Sequence, residues 1–299
     1  MRFAVLAAPD SWYFGDLLRA AGDDYKLTSL PFDQLWTNID RKGSQRILAG
    51  DQDLAEFDAV LVRTMPPGSL EQVVFRMDLL GRHAAVGGVV LNPPRAIEAA
   101  VDKYLTTSKL VAAGLPSPRT MVCQTSDAAM TAFTSLGGDV VVKPLFGSEG
   151  RGITRVTDEA MALRAFKLLE QLGAIIYLQE FIPHEGFDCR VLLIGDRAYS
   201  MKRSNPLDWR TNVSRGATTE KWDVPHDLLD MARRAAKTVG APIAGIDLLP
   251  ARDGSWYVLE VNAVPGWKAL AKTVDVDIAR EVLDFTCDIV SRERRVTDG

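Results

Sequence analysis

The feature that most limits the fold is a change in the rhythm of the apolar runs about a third of the way along the chain. Phe3-Ala4-Val5-Leu6-Ala7-Ala8, Asp58-Ala59-Val60-Leu61-Val62-Arg63 and Val89-Val90-Leu91 are short apolar runs, each closed by proline, with helical stretches between them. One such helix begins near Ser11 and ends at Gly22. Strands alternating with helices imply a parallel sheet with crossover connections, so residues 1–93 read as one α/β domain. A helix over 96–113 then closes at Gly114, and Leu115-Pro116-Ser117-Pro118 forces an extended connector. Beyond it the runs come in close pairs. Runs 189–194 and 198–202 flank Gly195-Asp196, and 246–249 and 256–262 flank Arg252-Asp253-Gly254, spacings that suit antiparallel hairpins. With strands at 140–143 and 175–180 and helices at 158–172 and 225–239, the remainder reads as α+β. The expected units are 1–93, 94–174 and 175–299.

Composition narrows the function. A net charge of −4 supplies no general basic field for nucleic acid. Ala84 to Leu91 is among the longest apolar stretches and holds two glycines, far short of a membrane span. The N-terminus runs straight into a strand, leaving no room for a signal peptide. Cys123, Cys189 and Cys287 form neither a metal-like spacing nor an even disulfide set. A cytoplasmic protein without nucleic-acid or membrane partners is expected, and self-association into a homo-oligomer is left open.

Three segments carry chemistry. In Trp256-Tyr257-Val258-Leu259-Glu260-Val261-Asn262, side chains alternate faces, so Glu260 and Asn262 project together. Asp247 joins that face if its strand is the hairpin partner. Two carboxylates and an amide oxygen suit a hard cation such as Mg²⁺; the alternative is a solvated sheet face, which the apolar flanks oppose. Second, Phe146-Gly147-Ser148-Glu149-Gly150-Arg151-Gly152 follows a strand ending in Lys143. Its amides can cradle phosphate beside that cation, although glycines also mark plain hairpin tips, and neither a Walker A nor a Gly-x-Gly-x-x-Gly pattern is present. Third, Tyr177-Leu178-Gln179-Glu180-Phe181-Ile182-Pro183 pairs an apolar strand with irregular backbone, which suits a flat heteroaromatic base and equally an ordinary strand-to-loop junction. His83, His184 and His226 are isolated and read as surface or packing residues.

In order along the chain, Asp102-Lys103, Lys143, the glycine-rich loop, Gln179-Glu180-Phe181-Ile182, Asp188-x-Arg190, the stretch Asn205 to Gly216, Asp247 and Glu260-Val261-Asn262-Ala263-x-Pro265-Gly266 resemble the ATP-grasp superfamily. Within it they are similar to the ribosomal-protein-S6-modification type of alpha-L-glutamate ligase. The resemblance implies an α/β and α+β architecture, in which an N-terminal α/β domain precedes two α+β subdomains that enclose ATP. Lys103 and Lys143 would meet the phosphates, under a lid carrying Gly147, Ser148, Gly150 and Gly152. Gln179, Glu180, Phe181 and Ile182 would form the adenine hinge, with Asp188 near the ribose. Arg203 and Arg210, with Lys143, would serve catalysis. Asp247, Glu260 and Asn262 would hold one or two Mg²⁺ ions, Mn²⁺ being a substitute. Arg63, Arg190, Arg215 and Trp267 would lie on the substrate side. The implied reaction activates a carboxylate as an acyl phosphate and transfers it to an amine, with L-glutamate and a small-molecule or peptide acceptor as partners.

Trp267 and Asp208-Trp209-Arg210 add aromatics that depart from the general pattern and fit a subgroup acting on cofactors of the tetrahydromethanopterin or methanofuran type. Competing readings are an ATP-binding switch without ligase activity and a ligase of the D-alanine–D-alanine type. Trp12, Tyr13 and Trp209 receive no role.

Overall fold

The structure, a computed structural model, describes residues 1–42, 44–147 and 150–297. The N-terminal part is the expected parallel sheet: β1 (Arg2–Leu6), β2 (Lys26–Leu30), β6 (Ala59–Val62) and β7 (Val90–Leu91) lie in the order β2-β1-β6-β7. Helix α1 (Trp12–Ala21) connects β1 to β2. A small antiparallel sheet of β3 (Leu35–Ile39), β4 (Gln45–Ala49) and β5 (Gln52–Asp53) interrupts the alternation and was not anticipated. Nor was α2 (Leu70–Ala85), although its start is written in the sequence. Ser69 and Gln72 cap it reciprocally, each side chain accepting from the other's backbone N–H.

The single helix expected over 96–113 is two, α3 (Pro94–Val101) and α4 (Lys103–Ala112). Asp102 breaks them: its backbone is extended, and its carboxylate accepts from Leu105 N at 3.0 Å as the cap of α4. Lys103 therefore stands at a helix start.

The central sheet has the order β10-β9-β11-β8 and is antiparallel throughout, built from β8 (Thr120–Cys123), β9 (Val140–Lys143), β10 (Thr154–Val156) and β11 (Ile176–Glu180). The boundary expected at residue 174 is thereby corrected. Strand β11 pairs with β8 and β9, so the central unit continues to Glu180. Val140, Val142, Ile176 and Leu178 face α5 (Ser126–Ser135) and α6 (Glu159–Gln171), burying Phe133 and Phe166 between them. By alternation, Val141, Lys143, Tyr177 and Gln179 occupy the opposite face.

The C-terminal sheet runs β14-β13-β12-β15-β16, from β12 (Phe187–Ile194), β13 (Arg197–Ser204), β14 (Thr218–Lys221), β15 (Ile243–Pro250) and β16 (Trp256–Asn262). Cys189, Val191, Ile246, Leu248 and Val261 on one face share a continuous core with α7 (His226–Val239) and the N-terminal sheet. At one end of the other face, Leu192, Ile194, Met201 and Ile243 pack in a core with α1, α8 (Lys268–Val274) and α9 (Ile278–Thr297). Leu283 of α9 is wholly buried there, and Leu283→Ala would cost about 2–5 kcal/mol. The N- and C-terminal parts are also joined by Asn92, whose amide nitrogen donates to Ala263 O and, at 2.6 Å, to Ile243 O. Its oxygen accepts from Ile243 N at 3.0 Å. No helix among the described residues is long and apolar enough to cross a membrane.

Candidate active site

The polar end of the C-terminal sheet forms one wall of a cleft. Register places Asp188 opposite Arg203, Arg190 opposite Asp247, Asp247 opposite Glu260, and Gly245 opposite Asn262. Cross-strand partners share a face, so the expected gathering of Asp247, Glu260 and Asn262 is what the strands produce. A bulge after Asp247 shifts the register and leaves Leu259 without a partner beside the site.

The charges on this wall largely compensate one another. Arg190 grips Asp247 with two hydrogen bonds of 2.7 Å, and Arg203 grips Asp188 at 2.7 and 2.5 Å while reaching Asp247 at 3.0 Å. Arg203, Asp188 and Asp247 are all buried. Burial alone would raise the Asp247 carboxyl, but Arg190 and Arg203 outweigh it and hold it near 2. Glu260 differs. Its carboxylate accepts no hydrogen bond among the described residues, and burial with Asp247 opposite pushes its pKa up, against the pull of Lys103 and Arg190.

The central sheet and the turns beside it form the other wall. Burial brings Lys143 down to about 8, Glu260 opposing the shift, and its ammonium donates to Gln179 Oε1 at 2.5 Å. Lys103, likewise lowered by burial, donates to Gly147 O at 2.8 Å. Glu180 accepts from Arg119 N at 2.7 Å, and Phe181 N donates to Asp139 O, whereas Ile182 N–H makes no hydrogen bond within the described residues. Val141, Ile153, Phe181, Ile182, Leu249 and Leu259 line an apolar end of the cleft, which encloses about 110 Å³.

The loop between β13 and β14 crosses from one wall to the other. Trp209 meets Phe181 edge to face at 5.8 Å, and Arg210 Nη1 donates to Ile153 O at 3.3 Å while its other nitrogens hold Asp208. A Cβ on Gly150 would stand 2.5 Å from Asn212 Oδ1, so glycine is required where the two loops touch. Gly147, Gly150 and Gly152 all have positive φ, while Ser148 lies outside the described residues. His184, read as a surface or packing residue, and Trp209 both line the cleft and were missed. The aromatic at 209 beside Arg210 was a signal. For His184 the signal was its place just after the hinge segment Gln179-Glu180-Phe181-Ile182.

The residues expected on the substrate side are not gathered. Arg190 belongs to the ion network, and Arg215 is exposed on the crossing loop. Trp267 is fully buried rather than lining a pocket, its Nε1 donating to Asp16 at 2.8 Å. Arg63 is buried against it, 4.1 Å from its ring centroid, and donates to Pro265 O at 2.7 Å. The physical reason is non-local: Pro265-Gly266 brings Trp267 onto α1, and a Cβ at Gly266 would meet the Tyr13 hydroxyl at 2.4 Å. Asp188, expected near a sugar, spends both oxygens on Arg203.

The donor set suits a hard cation. Glu260 has free oxygens, and Asn262 turns its Nδ2 toward Gly245 O at 3.5 Å, which leaves Oδ1 for a ligand. Asp247 can complete the set only by sharing oxygens with its arginines. No group of three or more His, Cys, Asp or Glu that could hold a metal is found among the described residues, so the amide oxygen is integral to the set.

Comparison with known proteins gives a consistent result. The profile described as RimK-like ATP-grasp domain matches residues 100–286. A tetrahydromethanopterin:alpha-L-glutamate ligase of Methanosarcina acetivorans is 32% identical over 272 residues, covering 81% of this chain and 83% of that protein. A Legionella pneumophila protein named "Probable alpha-L-glutamate ligase" is 27% identical, with 95% of each chain covered. In fold, the ATP-grasp ligase PsnB, solved with a minimal precursor, superposes with a TM-score of 0.75 at 23% identity, covering 97% of this chain and 98% of that one.

Proposed function

The chain belongs to the RimK-like ATP-grasp family, and from that premise we propose that its cleft activates a carboxylate with ATP and joins it to the amine of L-glutamate. Ligation of alpha-L-glutamate is the activity that its relatives' names carry. The observation that carries the reading is one cleft in which Glu260 and Asp247 face Lys103 and Lys143.

In the reaction, a carboxylate oxygen of the acceptor attacks the γ-phosphorus, giving an acyl phosphate and ADP. The glutamate amine then attacks the acyl carbon, loses its proton and expels phosphate. Both partners of the first step are anionic, so the site must offset their repulsion. Lys103 and Lys143 are cations without a carboxylate in ion-pair contact among the described residues, and they are the groups suited to the phosphates. Arg210 joins them by exchanging Asp208 for phosphate. Arg203 is buried and doubly paired, so it acts by fixing Asp188 and Asp247. Val141, Ile153 and Leu249 suit the flat faces of adenine, and the unpaired Ile182 N–H suits its edge. Glu260 and Asn262, with Asp247, would hold Mg²⁺, as one or two ions and with Mn²⁺ as a substitute. The ion would supply charge neutralisation at the transferring phosphoryl group.

Arg215 is exposed on the crossing loop, and its planar fork suits a glutamate carboxylate. The acceptor is proposed to be a cofactor-like carboxylate of the tetrahydromethanopterin type, with a peptide carboxylate as the second class, because a tetrahydromethanopterin:alpha-L-glutamate ligase and an ATP-grasp ligase solved with a precursor peptide are among the similar proteins. The experiment is phosphate release with ATP, Mg²⁺, L-glutamate and each acceptor class in turn. Release that requires both glutamate and acceptor is expected. Release independent of any amine, or no dependence on glutamate, would overturn the assignment.

A further inference from the structure

We infer that Thr120 is a positioning residue for Lys143, acting through the side-chain amide of Gln179. The inference rests on the reading that Lys143 meets nucleotide phosphates, and it follows from the directions in which three hydrogen bonds must run. The Thr120 hydroxyl donates to Pro118 O at 2.9 Å. A carbonyl can only accept, so the hydroxyl hydrogen is committed there, and toward Gln179 the Thr120 oxygen can only accept. The Gln179 atom 3.0 Å from it is therefore the amide nitrogen, whose second hydrogen faces the Tyr177 hydroxyl at 3.4 Å. With its nitrogen held on that side, Gln179 must turn Oε1 to the Lys143 ammonium, 2.5 Å away. Both ends of the chain demand the same amide orientation.

The strands supply the geometry. Thr120 pairs across β8 and β11 with Gln179, and Lys143 pairs across β9 and β11 with Tyr177, so all four share the cleft-facing side of the central sheet. Gln179 is only 3% exposed, so water cannot readily substitute for a lost partner. Lys143 has no carboxylate at ion-pair distance, and Gln179 Oε1 is its hydrogen-bond acceptor among the described residues. An amide and its flipped form have nearly the same shape. Without the Thr120 hydroxyl, Gln179 could present its NH₂ to the ammonium, which would then lose its acceptor and shift from the phosphates. Thr120 does not line the cleft, so it acts at one remove.

Calorimetric titration with ADP and Mg²⁺ tests this in a double-mutant cycle. Thr120→Val, which keeps the shape and removes the hydroxyl, should weaken ADP binding roughly tenfold, the scale of one buried hydrogen bond. Thr120→Ser should restore wild-type affinity. In a Lys143→Met background, Thr120→Val should have no further effect, because the group it positions is gone. Equal affinity of Thr120→Val and wild type would overturn the inference. So would failure of serine to rescue, or the same loss in both backgrounds, which would mark Thr120 as merely structural. If Thr120→Val does not fold, Gln179→Met in the same cycle reads the same link, and additivity there overturns it equally. A wild-type protein that binds no ADP would sink the functional reading itself, an outcome distinct from all of these.

Discussion

The two walls of the cleft treat buried charge in opposite ways. On the C-terminal wall, Arg190, Asp247, Arg203 and Asp188 are two cations and two anions locked by bidentate contacts, and Glu260 is left without a hydrogen-bond donor among the described residues. On the central wall, Lys143 has a neutral amide for a partner and Lys103 a backbone carbonyl. The first arrangement is self-sufficient; the second leaves positive charge that a ligand must answer. A preformed ion network sets geometry, because each carboxylate is held by a fork. An uncompensated cation sets affinity, because an arriving anion meets little competition. The contrast separates residues that hold the site together from those that bind.

The contrast breaks most sharply at Asp188. Asp188→Asn leaves Arg203 buried with one carboxylate instead of two, and about 3–5 kcal/mol of stability should disappear. Urea unfolding should show a lower midpoint at unchanged slope. A near-normal midpoint would mean that the network is not self-sufficient. Replacing both partners, as Asp188→Leu with Arg203→Met, should recover much of the loss.

Glu260 stands outside that network, so it should behave as a binding group. Glu260→Gln is expected to lower turnover by about 10²-fold or more, the scale of a lost electrostatic contact at a reacting phosphoryl group, with the unfolding midpoint held or raised. A fall in stability without loss of turnover would place Glu260 with the structural set.

The smallest effect concerns pH. Burial lowers the free ammonium of Lys143 to about 8, with Glu260 opposing the shift and Lys103 adding to it, and phosphate favours the charged form, raising that value in the complex. Affinity for ADP should then be complete below pH 8 and fall above it by up to about tenfold per unit, until the raised value is passed. Lys143→Met should flatten this limb. A profile that rises with pH, or one unchanged by the substitution, would remove Lys143 from the phosphate site.

Much of this was legible wherever the signal is local. Period-two alternation placed Glu260 with Asn262, and a short turn brought Asp247 across to them. The Asp188–Arg203 pair was legible too, since the turn at Gly195-Asp196 fixes the β12–β13 register, and counting back from it sets the two residues opposite. What escaped depends on contacts between distant segments. The β12–β15 pairing that delivers Arg190 to Asp247 has no local signature, and neither does the packing of Trp267 on α1. The position of β11 in the central sheet escaped for the same reason, because its partners β8 and β9 both precede it in the chain while the hairpin after it looked like its continuation.

Asn92 bears on how the chain is made. Among the described residues its amide is completed only by Ile243 and Ala263, which leave the ribosome long after it does. Until then the Asn92 amide at the end of β7 is left to water, and the core that the first sheet shares with β12, β15 and β16 lacks one side. The N-terminal α/β segment therefore emerges well before the residues that complete its core. Its apolar face stays open to chaperones for most of translation, and a ribosome stalled before residue 243 would display a sheet that cannot finish folding.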